Sequence, residues 1–270
     1  MVDQHALVKT FRNMHESGCF IIPNPWDAGS ARLLAQLGFK ALATTSSGFA
    51  WSTGKADNHV QLPQLLDHLQ AITASVNIPV NADFEGGFAI EPEGVLANVT
   101  LAVATGIAGL SIEDSTGIAA SPLFGATLSV ERLRAARQAI DESGTKVLLT
   151  GRSEGFIVGR PDLTETIRRL AAYADAGADC LYAPGIRNHA DVITLVKELA
   201  PKPVNVLVYS DFFTVQELAD VGVRRISVGG ALARTAYTAF NNAAKEIAEL
   251  GTFNALAAAV PRVNFDQLFA

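Results

Sequence analysis

Acidic side chains recur in this chain at the ends of short apolar runs. The run Pro79-Val80-Asn81-Ala82-Asp83-Phe84-Glu85 ends in the pair Gly86-Gly87, Gly109-Leu110-Ser111-Ile112 ends in Glu113-Asp114, and Val147-Leu148-Leu149-Thr150 ends in Gly151-Arg152-Ser153-Glu154. Asp57 follows a further run. Acids gathered round one cavity repel each other and stay ionised only if a cation offsets them. Hard oxygen donors with room for water suit Mg²⁺, with Mn²⁺ as the alternative. An ion held by Asp83, Glu85, Glu113 and Asp57 would act as a Lewis acid on the oxygens of a small oxo acid. It would stabilise an enolate while a bond to the neighbouring carbon breaks. The structural alternative for any one of these acids is a helix cap or an ion pair with Arg152 or Lys146.

Small polar residues give a second signal. Thr44-Thr45-Ser46-Ser47-Gly48 offers hydroxyls and backbone N–H groups beside a glycine, suited either to holding a carboxylate or phosphonate or simply to turning the chain. Arg152 is a forked cation that could grip a substrate carboxylate in two places or pair with Glu113 or Glu154. Asn205 interrupts the apolar run 203–208, where its amide reads a ligand or satisfies backbone. Gly229-Gly230 fits a phosphate cup or a plain turn. His59, His68 and His189 have no matching Ser or Cys nucleophile, so no hydrolase triad is expected. Residues 115–126, rich in Gly, Ala, Ser and Pro, are long for a connection and read as a lid. Cys19 and Cys180 show no metal or disulfide spacing and read as buried thiols.

The elements that would position these groups alternate along the whole chain. Eight β-rich runs, at 19–23, 41–47, 79–84, 109–113, 146–151, 180–184, 203–208 and 224–229, are each followed by a helical pattern. Examples are residues 27–37 and 129–142, the latter with Ser129 as a cap. Leu37-Gly38-Phe39, Thr105-Gly106-Ile107, Ala176-Gly177-Ala178 and Val221-Gly222-Val223 stand just before runs, where glycine ends a helix cheaply. The pattern predicts an α/β fold, a (β/α)8 TIM barrel formed by residues 1–270 as one domain, in preference to a doubly wound open sheet. In a barrel all strand ends lie on one face, so the polar tips would converge. Residues 4–16 would be an N-terminal helix capping the bottom. The apolar stretches 253–260 and 265–269 would be a C-terminal helical extension docked on its own barrel or on a neighbouring subunit.

Composition excludes several roles. The chain has 270 residues, 49% hydrophobic and 18% charged, which supports a large core rather than disorder. Its net charge of −6, without a basic run, lacks the phosphate-neutralising surface that nucleic acid requires. No stretch is long and apolar enough for a membrane span, and residues 1–16 lack a leader pattern, so a cytoplasmic protein is expected.

From about residue 18 to 240 the chain resembles the isocitrate lyase and phosphoenolpyruvate mutase superfamily. The likeness rests on the order of Pro23-Asn24-Pro25-Trp26-Asp27-Ala28-Gly29-Ser30-Ala31, Ser46-Ser47-Gly48, Asp57, Asn81-Ala82-Asp83, Ile112-Glu113-Asp114 and Arg152. The resemblance implies a barrel with its eighth helix swapped between paired subunits, a homo-oligomer (dimer or tetramer), and bound Mg²⁺. It also implies making or breaking a bond to C3 of an α-oxo or α-hydroxy carboxylate or a phosphonate. By that likeness Ser46, Ser47 and Gly48 hold the substrate carboxylate and Arg152 binds substrate; Trp26 and Asn205 are further substrate-binding candidates. It places Asp57, Asp83 and Glu113 on the metal directly or through water, with Glu85 a further metal candidate beside them, and the catalytic candidates are Asp57, Arg152 and Glu113. Three departures stand out. Asn81 replaces the first acid of the usual Asp-x-Asp. Residues 114–125 lack the Cys, Lys and His of the lyase loop and the Lys and Asn of the mutase lid. Ala183-Pro184-Gly185 stands where the lyases place a Glu. The expected activity is carbon–carbon cleavage or decarboxylation through a metal-stabilised enolate. The alternatives are phosphonopyruvate mutase or hydrolase chemistry, or a non-catalytic barrel that binds oxo acids.

Overall fold

The computed structural model describes residues 3–258 and 264–269. Helix and strand alternate in the order α1 (Gln4–Met14), β1 (Phe20–Ile22), α2 (Ala28–Gln36), β2 (Leu42–Ala43), α3 (Ser46–Ser52), α4 (Leu62–Ser75), β3 (Val80–Asp83), α5 (Pro92–Val103) and β4 (Gly109–Glu113). The order continues with α6 (Ala126–Ser143), β5 (Leu148–Arg152), α7 (Leu163–Asp175), β6 (Cys180–Tyr182), α8 (His189–Leu199), β7 (Val204–Leu207), α9 (Val215–Asp220) and β8 (Arg225–Ser227). Then come α10 (Ala231–Leu250), α11 (Asn254–Ala258) and α12 (Phe265–Phe269). All eight strands pair in parallel in the order β1-β8-β7-β6-β5-β4-β3-β2, a (β/α)8 TIM barrel rather than an open doubly wound sheet. At the seam between β1 and β2, the Ala43 N–H donates to the Pro23 carbonyl at 3.0 Å.

Two faces of each strand serve different ends. Ala82, Leu110, Ile112, Leu149, Leu181, Val206 and Ile226 are buried in the apolar core shared with the helices. Asn81, Ser111, Asn205, Arg225 and Ser227 line a cavity within the barrel. Branched apolar residues usually fill that interior. Here it is polar, which suits a ligand better than a packed core.

Helix α1 closes the bottom as expected. Val8 and Phe11 are buried, and the Phe11 ring meets His15 and Phe20 edge-on. Gly109 on β4 is what lets α1 seat so closely, because a Cβ there would lie 2.6 Å from Phe11 and 2.7 Å from Asn81 Oδ1. The joint glycines Gly38, Gly106, Gly177 and Gly222 all take φ between +89° and +103°, the left-handed turn that ends a helix.

Several expected boundaries shift. The second strand is only Leu42–Ala43 rather than 41–47, because Thr45 caps α3 through its side chain and the chain turns helical at Ser46. Ser129 is no cap: α6 begins at Ala126, and the Ser129 hydroxyl donates back to the Gly125 carbonyl. In the C-terminal extension, residues 259 and 260 of the expected apolar stretch lie outside the described residues. α12 docks on α2 of its own chain, where Arg32 lies 5.5 Å from the Phe269 ring and Gln36 donates to the Leu268 carbonyl. α10 is different. It runs for 20 residues with Ala233 as its buried residue, while Phe240 is 71% and Leu250 72% exposed.

Candidate active site

Arg152, the last residue of β5, organises the rim. Its Nη1 lies 3.1 Å from Asp83 Oδ1 at the tip of β3 and 3.1 Å from Glu113 Oε2 at the tip of β4, and its Nε donates to Glu154. The expected convergence of Asp83, Glu113 and Arg152 is therefore present. Burial works against the charge on Arg152, but Glu113, Glu154 and Asp83 more than offset it and hold the guanidinium charged. One cation cannot neutralise three acids. Burial first, and then mutual repulsion, push the Glu113 and Glu154 carboxyls above the usual range despite their contact with Arg152.

The acids divide between two cavities. The first, about 470 Å³, opens at the strand tips and is lined by Ser46, Ser47, Asp57, Asn81, Asp83, Arg152 and Asn205 among others. A neighbouring cavity of about 500 Å³ is lined by Glu85 and Glu113 with His59, Ser115, Phe124 and Arg132. Glu85 has a left-handed backbone, φ +45°, uncommon for a residue with a side chain. Burial, then the charges of Asp83 and Asp57, raise its carboxyl to about 8. Asp57, on the exposed rim, is raised by partial burial of its carboxyl and by Asp83, and solvent screens the effect.

The other expected site residues fall as follows. The Ser46 N–H donates to Asp83 Oδ2 at 2.9 Å and the Gly48 N–H to Thr45 Oγ1 at 3.3 Å, so two of the three N–H groups are already engaged inside the protein. Gly48 stands behind the cavity wall, where a Cβ would meet Thr45 at 2.7 Å, Trp26 at 3.0 Å and Ala233 at 3.2 Å. Trp26 packs there too, and the tryptophan that lines the cavity is Trp51. Asn205 accepts from Arg225 Nε and donates to Ser227 Oγ, both at 2.9 Å. Asn81 donates to the Ala82 carbonyl at 3.2 Å and leaves its buried Oδ1 without a partner among the described residues. The backbone of the Gly229-Gly230 turn is committed in part, since Asn24 Oδ1 accepts from Val228 and Gly229 N–H, both at 2.9 Å.

Several residues hold the site in roles that the sequence did not reveal. Asn24 also donates to the Thr44 carbonyl at 2.9 Å, tying together the ends of β1, β2 and β8. Asp114 is a clamp. Its carboxylate accepts from Tyr173 OH at 2.6 Å, Glu154 N at 2.8 Å, Ser153 Oγ and Arg169 Nη1. Arg132 of α6 is buried, stacks 4.0 Å from the Phe124 ring, and donates to the Gly86 and Ala89 carbonyls. It thereby fixes the loop that carries Glu85. The segment expected to be a lid is folded back on itself, with a bridge between Ser115 and Leu123.

The donor set can be tested against a divalent ion. Among the described residues no three acids converge to hold one directly, and both oxygens of Asp83 already have partners. Yet Asp57, Glu85 and Glu113 are all held above their normal range, each partly by neighbouring carboxylate charge. That is a site short of positive charge, and its hard oxygen donors fit a Mg²⁺ ion held partly through water.

The family model for phosphoenolpyruvate phosphomutase matches residues 11–248. The chain belongs to the phosphoenolpyruvate mutase family, within the isocitrate lyase superfamily, and is an enzyme. A Burkholderia cenocepacia J2315 protein assigned as a lyase/mutase shares 46% identity and a TM-score of 0.95, over 98% of this chain and 97% of that one. The oxaloacetate decarboxylase of a Marinomonas species is 27% identical over 84% of this chain and 80% of its own length. Oxaloacetate acetylhydrolase, solved with its product oxalate, is 25% identical with a TM-score of 0.87, over 98% of this chain and 94% of that chain.

Proposed function

We propose that this family member is a Mg²⁺-dependent carbon–carbon lyase acting on a small α-oxo acid, with decarboxylation of an oxaloacetate-like substrate as its reaction. The observation that carries this reading is the rim itself: acids at the ends of β3 and β4 and just past β5 surround one arginine beside an open, polar cavity. The 114–125 segment supports it as well, because it has no Cys, Lys or His to act as an acid or base. Decarboxylation needs least from such a loop. The C3–C4 bond breaks, its electron pair enters the enolate, CO₂ departs, and a proton from water returns to C3.

In this reading Asp83, Asp57, Glu85 and Glu113 hold the ion directly or through water. When bound, the ion supplies Lewis-acid stabilisation of the negative charge that develops on the substrate oxygen. Asp83 is kept in place by the Ser46 N–H and Arg152. Arg152, fixed by Glu154 and Glu113, presents its remaining N–H groups to the cavity for the substrate carboxylate. Tyr182, whose hydroxyl burial raises to about 12, stays protonated and can only donate or accept hydrogen bonds. The test is release of CO₂ and pyruvate from oxaloacetate with Mg²⁺ and with chelator, alongside cleavage of 2-methylmalate. Turnover of neither substrate above the uncatalysed rate would end the reading. Asp83→Ala and Glu113→Ala should each lower kcat by at least about 100-fold, the usual scale for loss of an electrostatic group at a reacting centre.

We also propose a homo-oligomer in which α10 packs on a second copy of the chain. Phe240, Ile247 and Leu250 are exposed on α10 among the described residues, and apolar surface of that kind marks an association site.

A further inference from the structure

Arg225, on β8, is 3% exposed and lines the floor of the first cavity. Its Nε donates to Asn205 Oδ1 at 2.9 Å and its Nη2 to Thr150 Oγ1 at 3.1 Å, so the side chain reaches across the barrel from β8 to β5. Its Nη1 lies 3.4 Å from His15 Nε2. The His15 ring is neutral: Nδ1 sits 2.8 Å from the Phe11 carbonyl, and burial, then the charge of Arg225, lower its pKa to about 3. All three neighbours are therefore uncharged. Among the described residues no carboxylate lies within 4.0 Å of Arg225, unlike Arg152 with its three acids. A guanidinium has five donors, and these contacts use three of them.

A buried cation with neutral partners, open to a cavity, is a demand for an anion from solution. We infer that Arg225 is the anion-binding and specificity-determining group at the cavity floor, a second subsite that holds the acid group remote from the rim. The spacing suits a short chain. Thr150, which holds Arg225, and Arg152, at the rim, are successive same-face positions on β5, about 7 Å apart along the strand. This inference rests on the proposed reading of the cavity as a substrate site and assigns it a second anion subsite.

The experiment compares succinate with butyrate, four-carbon acids that differ by one carboxylate, by calorimetry on the intact protein without metal. Wild type should bind succinate at least tenfold more tightly than butyrate. Arg225→Gln should erase that preference and Arg225→Lys keep most of it, with circular dichroism confirming the fold of each variant. A purely structural role would lower thermal stability and leave the succinate-to-butyrate ratio unchanged, which would overturn the inference, as would a wild type without the preference. Should Arg225→Gln not fold, a crystal of wild type grown with succinate decides: a carboxylate against the Arg225 Nη atoms supports the assignment, and a ligand held elsewhere refutes it. Because neither readout involves turnover, a protein that leaves oxaloacetate intact yet discriminates through Arg225 would refute the reaction and not the subsite.

Discussion

Glu85 combines a left-handed backbone with a carboxyl raised from its ordinary 4.5 to about 8. Because the folded state binds this proton more tightly than the unfolded chain, the associated stability is present below pH 4.5 and is lost as pH rises through about 8. The slope is at most about 1.4 kcal/mol per pH unit. Without divalent ions, thermal stability should therefore fall between pH 5 and 8, and Glu85→Gln should flatten that dependence. If Glu85 lies beside the ion, Mg²⁺ added at pH 7 in weak buffer should also release a proton from wild type that Glu85→Gln fails to release. At this scale the sequence was informative about Asp83, Glu113 and Arg152, because a strand repeats every two residues and its last inward residue must face the rim. It was silent on Arg132, Asn24 and Arg225. Their importance comes from where their hydrogen bonds end, on carbonyls and side chains distant in sequence, and no local pattern records that.

The strand ends depend on a few pins between elements. The seam between β1 and β2 is the weakest part of the barrel ladder, and Asn24 bridges it with one donated hydrogen bond to Thr44 while its Oδ1 accepts two from the end of β8. Asn24→Ala should lower stability by about 3 kcal/mol, since each buried group left unpaired costs roughly 1–3 kcal/mol. It should also weaken ligand binding at the rim, as chemical denaturation and calorimetry on the same variant would show. Unchanged stability would mean that water replaces the amide. The eight βα units could be read from apolar runs and joint glycines, and the capping role of α1 from its amphipathic pattern. The early start of α3 could not, because Thr44-Thr45-Ser46-Ser47 favours a strand by composition and turns helical only once Thr45 caps it. Asp114 behaves similarly: beside Glu113 it looked like a second rim acid, but strand alternation sends it to the opposite side, among Tyr173 and Arg169.

For the molecule as a whole, α10 is the element that a single chain leaves unfinished. A 20-residue helix with one buried residue gains little from its own barrel, and the exposed Phe240 and Leu250 lie on the surface proposed to meet a second copy. Phe240→Asp should shift the sedimentation velocity profile toward monomer at micromolar protein. A wild type that is already monomeric would refute the proposed association. No helix among the described residues is long and apolar enough to cross a membrane. In the proposed function the rim acids and a small organic dianion share a divalent ion at the strand tips, where the two cavities adjoin. Its most direct test is calorimetric titration of oxalate with and without saturating Mg²⁺. Oxalate should bind at least tenfold more tightly with the ion, and Asp83→Ala should abolish that gain. Equal affinity under both conditions would contradict the account.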